Sequence, residues 1–100
     1  MQVSKCVLEN KKNSEKELLR VEGDLRAALL ALPNDLVNRK QIRSGFDVSS
    51  RTFKKYRAAQ CKFQEEISFG MYAEEFRLAC ETELNSRRTD ELNSVALRLK

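Results

Sequence analysis

The chain reads as an all-α protein, a three-helix antiparallel bundle running up, down and up. Three observations predict this. Punctuation is sparse, with three Gly and one Pro in 100 residues, whereas an all-β sandwich needs a turn signal every ~8–12 residues. Apolar residues recur at spacings of three and four through three long segments, as on one face of a helix. The segments are separated by two short breaks, Pro33-Asn34-Asp35 and Phe69-Gly70-Met71, and short connections favour antiparallel neighbours. The length suits one domain over residues 1–100.

The first helix is expected over residues 7–32. Leu18, Val21, Leu25, Leu29 and Leu32 form its apolar stripe, while Glu9 to Glu17 is polar. Gly23 costs about 1 kcal/mol against Ala in a helix interior. Pro33 stops this helix, and Asn34 or Asp35 is the expected cap of the next. The second helix is expected over 35–68. Ile42, Phe46, Ser49, Phe53, Tyr56, Gln60, Phe63 and Ile67 alternate by four and three, which is a heptad seam. Gly45 predicts a kink or split near Ser44–Asp47. The third helix is expected over 72–99, with Tyr72, Phe76, Cys80, Leu84, Leu92, Val95 and Leu99 as its stripe, interrupted around Arg88.

About 100 residues bury only a small core, so a covalent staple is useful. Antiparallel helices place residues equally far from a turn at equal height. Cys61 and Cys80 lie almost equally far on either side of Gly70, and Cys6 and Cys61 almost equally far on either side of Pro33. All three thiols therefore fall in one layer. A Cys61–Cys80 disulfide between helices 2 and 3 is the first choice, contributing about 3 kcal/mol in the chain-entropy view. Cys6 is then free, pairs upstream or competes for Cys61; three reduced core thiols are the plain alternative.

The chain has no His. His-based acid–base catalysis, His-ligated metals and Ser-His or Cys-His nucleophile pairs are excluded within it. No Gly-rich phosphate loop or metal-ligand spacing occurs, so no cofactor, metal or enzymatic activity is expected. The longest apolar run, Ala27–Leu32, is too short to span a bilayer. The segment behind Met1 is not a signal peptide. The net charge of +4 is unevenly placed: Arg39 to Lys62 holds eight bases and one acid, whereas Glu65 to Glu75 holds four acids and no base.

Within this frame, two blocks resemble a known family. Phe53-Lys54-Lys55-Tyr56-Arg57-Ala58-Ala59-Gln60-Cys61-Lys62-Phe63 is similar to a W-x-x-Y-R-D-x-x-C-x-F signature. Cys80, Leu84 and Arg88-Thr89-Asp90-Glu91-Leu92 are similar to its C-x-x-x-L-x-x-x-R-T-x-x-L ending. Cys6 with Ser14-Glu15-Lys16-Glu17-Leu18 is a weaker match to its opening. The family is the small bacterial domain shared with the N-terminal part of the lysozyme inhibitor LprI, and the resemblance covers almost the whole chain. It implies an exported helical domain of the periplasm or cell surface, whose leader is absent from this chain, with oxidised cysteines and in some members lysozyme inhibition. Phe53 stands where the family usually has Trp, Ala58 where it has Asp, Leu19 and Glu22 where it has Asn and Tyr, and Ser50 where it has Gln.

Glu17, Phe53, Tyr56, Arg57, Arg88 and Thr89 fall in these blocks and are expected to be structural. Arg57 follows Tyr56 and is expected to point partly inward. Arg88 lies level with Phe53 and Ser14, so an ion pair with Glu15 or Glu17 is expected, Thr89 packing beside it. The expected partner surface is the second turn. Phe69, Gly70, Met71 and Tyr72 form an apolar tip ringed by Glu65, Glu66, Glu74 and Glu75, and such a rim steers encounter with a cationic protein. Lysozymes of animal type fit that description. Two alternatives remain: protection against another secreted effector, and an anion-binding module using Arg39, Lys40, Arg43, Arg51, Lys54, Lys55 and Lys62. The aromatics of helix 2 lie on the seam and not among these bases, so nucleic acid is not expected. Oligomeric state does not follow from the sequence.

Overall fold

The computed structural model describes residues 3–33, 35 and 38–99. These form three helices, α1 (Lys5–Leu30), α2 (Arg39–Ile67) and α3 (Ala73–Arg98). Each starts at a boundary with a physical cause. Ser4 caps α1, its hydroxyl accepting from the Val7 N–H at 3.2 Å. The cap of α2 is Asn38, whose side chain accepts from the Gln41 N–H at 3.0 Å. That corrects the expected start: Asp35 lies in an exposed turn, and Asn34 is outside the described residues. Gly45 neither kinks nor splits α2, which runs unbroken through it. A helix this long and well packed absorbs one glycine.

α1 and α3 run parallel in a fixed register. The Ser4 N–H donates to Glu75 and the Asn85 amide to Ser14, both across the same separation of 71 residues. α2 runs antiparallel to α3, and the Cys61–Cys80 disulfide joins them with Cα atoms 5.4 Å apart. Cys6 is free and exposed. By the α1–α3 register it sits nearly one turn from the disulfide layer and faces outward, so it does not compete for Cys61.

α3 is the middle element, packed extensively on both neighbours, while α1 and α2 touch each other much less. The molecule is consequently a thin rod, 56 × 22 × 15 Å, with a radius of gyration of 16.4 Å against about 13 Å for a compact chain of this length. Its core is two clusters. Leu18, Val21, Leu25, Phe46 and Leu92 form one, and Cys61, Cys80 and Leu84 the other, with Phe53 packed against both.

The apolar stripe of α1 is as expected from Leu18 to Leu29, but the helix runs Lys5–Leu30 and Leu32 lies in the bend beyond its end. The stripes of α2 and α3 are not as expected. The buried positions of α2 are Phe46, Ser50 and Cys61, with Phe53 and Arg57 half-buried, whereas Tyr56, Phe63 and Ile67 are each more than half exposed. From about Ser50 the inward face lies one residue ahead of the heptad seam. A straight helix repeats every 3.6 residues and drifts about 20° per heptad away from a 3.5-residue pattern. The disulfide fixes the outcome, because Cys61 must face α3. On α3, Tyr72, Phe76 and Leu99 are exposed, while Leu78, Asn85 and Thr89 are buried. As the middle helix, α3 needs a second stripe toward α1, which Leu78, Asn85 and Leu92 supply at heptad spacing.

Candidate functional site

The sequence points to two groups of residues, and the fold places them in different settings. The first group lies at mid-rod. Asn85 is 0 % exposed and accepts from the Arg57 guanidinium at 2.6 Å while donating to the Ser14 hydroxyl at 3.2 Å. Arg57 also lies 3.9 Å from Glu15 and stacks over the Phe53 ring, as Arg88 does. Thr89 is buried and donates to the Asn85 carbonyl at 2.9 Å. Arg57, Phe53, Arg88 and Thr89 thus form a polar belt that ties the three helices together.

Two details depart from expectation. Arg88 donates to Ser49 at 2.8 Å and approaches Glu91 at 3.8 Å, not Glu15 or Glu17. Glu17 pairs on the surface with Arg20. Arg57, not Arg88, takes Glu15, because the turn of α2 that brings Cys61 inward brings Arg57 with it. Tyr56 is exposed on the outer face. The Glu15 carboxyl is held below its ordinary value chiefly by the Lys11 hydrogen bond, against an opposing effect of burial, and further by the charges of Lys11, Arg57 and Lys54. The hydrogen bond from Arg20 lowers Glu17 in the same way.

The second group is the α2–α3 hairpin tip. Ser68 closes α2, its hydroxyl donating to the Glu65 carbonyl at 2.6 Å, and the Met71 N–H reaches back to the Ser68 carbonyl at 3.2 Å. Reversal in so few residues requires left-handed backbone at three positions: Phe69 at φ 54°, Gly70 at φ 83° and Tyr72 at φ 55°. Glycine takes that conformation freely, whereas a side chain there costs about 1–2 kcal/mol. Phe69 is also 92 % exposed and Met71 64 %. Tyr72 is the N-cap of α3 with no side-chain cap bond, and Glu74 and Glu75 in the first turn offset the helix dipole.

The acidic rim is partly committed. Arg77 folds back one turn to pair with Glu65 at 2.9 Å, Glu81 at 3.1 Å and Glu74 at 3.8 Å. Glu75 accepts the Ser4 N–H at 3.1 Å and anchors the start of α1. Glu66 and Glu74 remain the outward-facing acids. Between the start of α1 and the first turns of α3 opens an apolar groove of about 410 Å³ lined by Val7, Tyr72, Phe76 and Ala79 with Glu75. Phe63 and Ile67 are half-exposed on the last two turns of α2. Sequence reasoning assigned Phe63, Ile67 and Phe76 to the core. Their i, i+4 spacing carried the signal of an apolar surface but not which way it faces.

The chain matches the lysozyme inhibitor LprI family over residues 1–92. It belongs to that family. Neither a curated protein nor a solved structure matches it. The match spans the residues of the disulfide, the belt and the tip and ends within α3. No helix among the described residues is long and apolar enough to cross a membrane.

Proposed function

We propose that this LprI-family chain is an exported, non-enzymatic inhibitor of lysozyme or a related cell-wall lytic enzyme, acting in the periplasm or at the cell surface. The hairpin tip is the contact surface. The observation that carries this reading is Phe69: a large apolar side chain almost fully exposed on a left-handed backbone. The turn needs that backbone, but a glycine would adopt it without strain and without exposing an aromatic ring, and strain that persists on an exposed loop marks positions kept for contact. An exposed aromatic anchor at the same end of the rod as an apolar groove, with Glu66 and Glu74 outward-facing on the flanking helices, is the composition of a binding hot spot. Glu66 and Glu74 supply the charge that draws in a cationic enzyme.

Titration of lysozyme activity against the purified, oxidised chain tests the proposal. Phe69→Gly should raise the half-inhibitory concentration by about 30-fold or more, the scale of a hot-spot residue. Glu66→Gln with Glu74→Gln should weaken inhibition most at low salt. Full inhibition by all three substitutions together would remove the tip from consideration.

A further inference from the structure

A second surface lies on the opposite half of the rod, between α1 and α2. A groove of about 620 Å³ is lined by five cations, Arg26, Lys40, Arg43, Arg51 and Lys54, and one carboxylate, Asp47. Its walls carry a formal +4, equal to the net charge of the whole chain. Along α2 these residues recur at spacings of three and four, so they share one helix face. The row is about 21 Å long at 1.5 Å per residue.

Three further observations distinguish this groove from a solvated basic face. The first turn of α2 contains no acid and opens on Arg39-Lys40, the charge that the positive end of a helix dipole disfavours. α1 is likewise without an acid there and opens on Lys5, but in α2 this charge continues into the groove. Asp47 is already committed to Arg26 at 2.6 Å. Among the described residues, Lys40, Arg43, Arg51 and Lys54 have no carboxylate within ion-pair distance. Finally, Ser50 lines the groove, is 7 % exposed, and its Oγ has no hydrogen-bond partner among the described residues. A buried hydroxyl without a partner is costly in a native fold, and an anionic oxygen in the groove would satisfy it.

We propose that the α1–α2 groove binds the phosphate groups of a polyphosphorylated ligand. Arg43 and Arg51 present guanidinium forks, which match phosphate oxygens in pairs. Lys40 and Lys54 add point charges at the two ends of the row, and Ser50 would donate once its buried hydroxyl turns toward the groove. The nearby aromatic, Phe46, is buried beneath Arg26, so the groove offers no face for stacking bases. The site is separate from the hairpin tip and does not rest on lysozyme inhibition.

Calorimetric titration with sodium tripolyphosphate at low salt tests the proposal. Co-sedimentation with phosphatidylglycerol vesicles, against phosphatidylcholine vesicles, shows whether lipid headgroups are a source of the phosphate. Binding in either assay supports the site. Arg43→Glu with Arg51→Glu should weaken binding about tenfold or more, whereas Lys55→Glu with Lys62→Glu, an equal charge change on α2 outside the groove, should weaken it far less. Lys40→Gln with Lys54→Gln repeats the test at exposed positions that bear little on folding, and circular dichroism checks that each variant remains helical. Phe69→Gly should leave phosphate binding unchanged. Binding to neither probe, or equal losses in the two charge-reversed variants, would overturn the proposal. So would tighter binding to a single-stranded oligonucleotide than to tripolyphosphate at matched phosphate concentration.

Discussion

The polar belt and the hairpin tip are built from similar residue types and reach opposite results. Both combine arginine, glutamate and an aromatic. In the belt, Asn85 is fully buried with both ends of its amide bonded, and Phe53 lies beneath two guanidinium groups. At the tip, Phe69 stands in solvent on a strained backbone, and Arg77 shares itself among three carboxylates. The belt spends its polar groups on one another and gains a fixed helix register. The tip leaves apolar surface uncovered, which favours a partner and not the fold. Substitutions in the belt should therefore move stability and leave inhibition intact once the chain is folded; those at the tip should do the reverse.

The largest effect is expected from the staple between the two regions. Cys61→Ala with Cys80→Ala should lower unfolding free energy by about 3 kcal/mol, read as a lower denaturant midpoint. Breaking the belt comes next. Asn85→Ala leaves Arg57 without its closest acceptor in a part-buried site and should cost about 2–3 kcal/mol, with inhibition unchanged at temperatures where the variant is folded. A loss of inhibition at full helicity would show that the belt reaches the partner surface.

The tip should behave in the opposite sense. Phe69→Gly removes left-handed strain and should raise stability by up to about 1 kcal/mol while weakening inhibition. A fall in thermal midpoint would mean that Phe69 supports the fold. A smaller effect tests the helices alone. A Cβ built at Gly23 or Gly45 meets no atom within 4 Å. Gly23→Ala and Gly45→Ala should each stabilise by about 0.5–1 kcal/mol, measurable by chemical denaturation, without touching inhibition.

The smallest effect is in pH. Because the folded carboxyl of Glu15 is depressed, its contribution is present above the unfolded pKa and is lost as pH falls through the lower folded value. Stability should therefore decline slightly below about pH 4, and less so in Glu15→Gln. An identical acid limb in the two proteins would remove Glu15 from the belt's energetics.

Much of this was legible in the sequence, for reasons specific to helical hairpins. Sparse Gly and Pro left few places to turn, and the nearly equal spacing of Cys61 and Cys80 about Gly70 made theirs the preferred pairing, although the same spacing about Pro33 left Cys6 as a competitor. The stripe of α1 was readable because α1 packs on one side only. Less was legible where one helix serves two neighbours. Asn85 and Leu78 face α1 from the middle helix, and a single-stripe reading passes over them. The exposure of Tyr56, Phe63 and Ile67 was hidden by a one-residue slip, since heptad and helical periods diverge over a helix as long as α2. At the tip, the residues could be named from the sequence, but the return of Arg77 onto Glu65 depends on chain reversal and has no local signal.

The rod shape has a consequence for simultaneous occupancy. Asp47, near the middle of the basic groove, and Phe69 at the tip are separated by about 33 Å along α2 at 1.5 Å per residue. That is several times the screening length of about 8 Å in physiological salt, and about the diameter of a small domain. Charge neutralised at one end is scarcely felt at the other, and a bulky partner on the tip does not cover the groove. With both proposed sites filled, the rod would act as a spacer, holding a partner at the tip at a set height above a ligand in the groove.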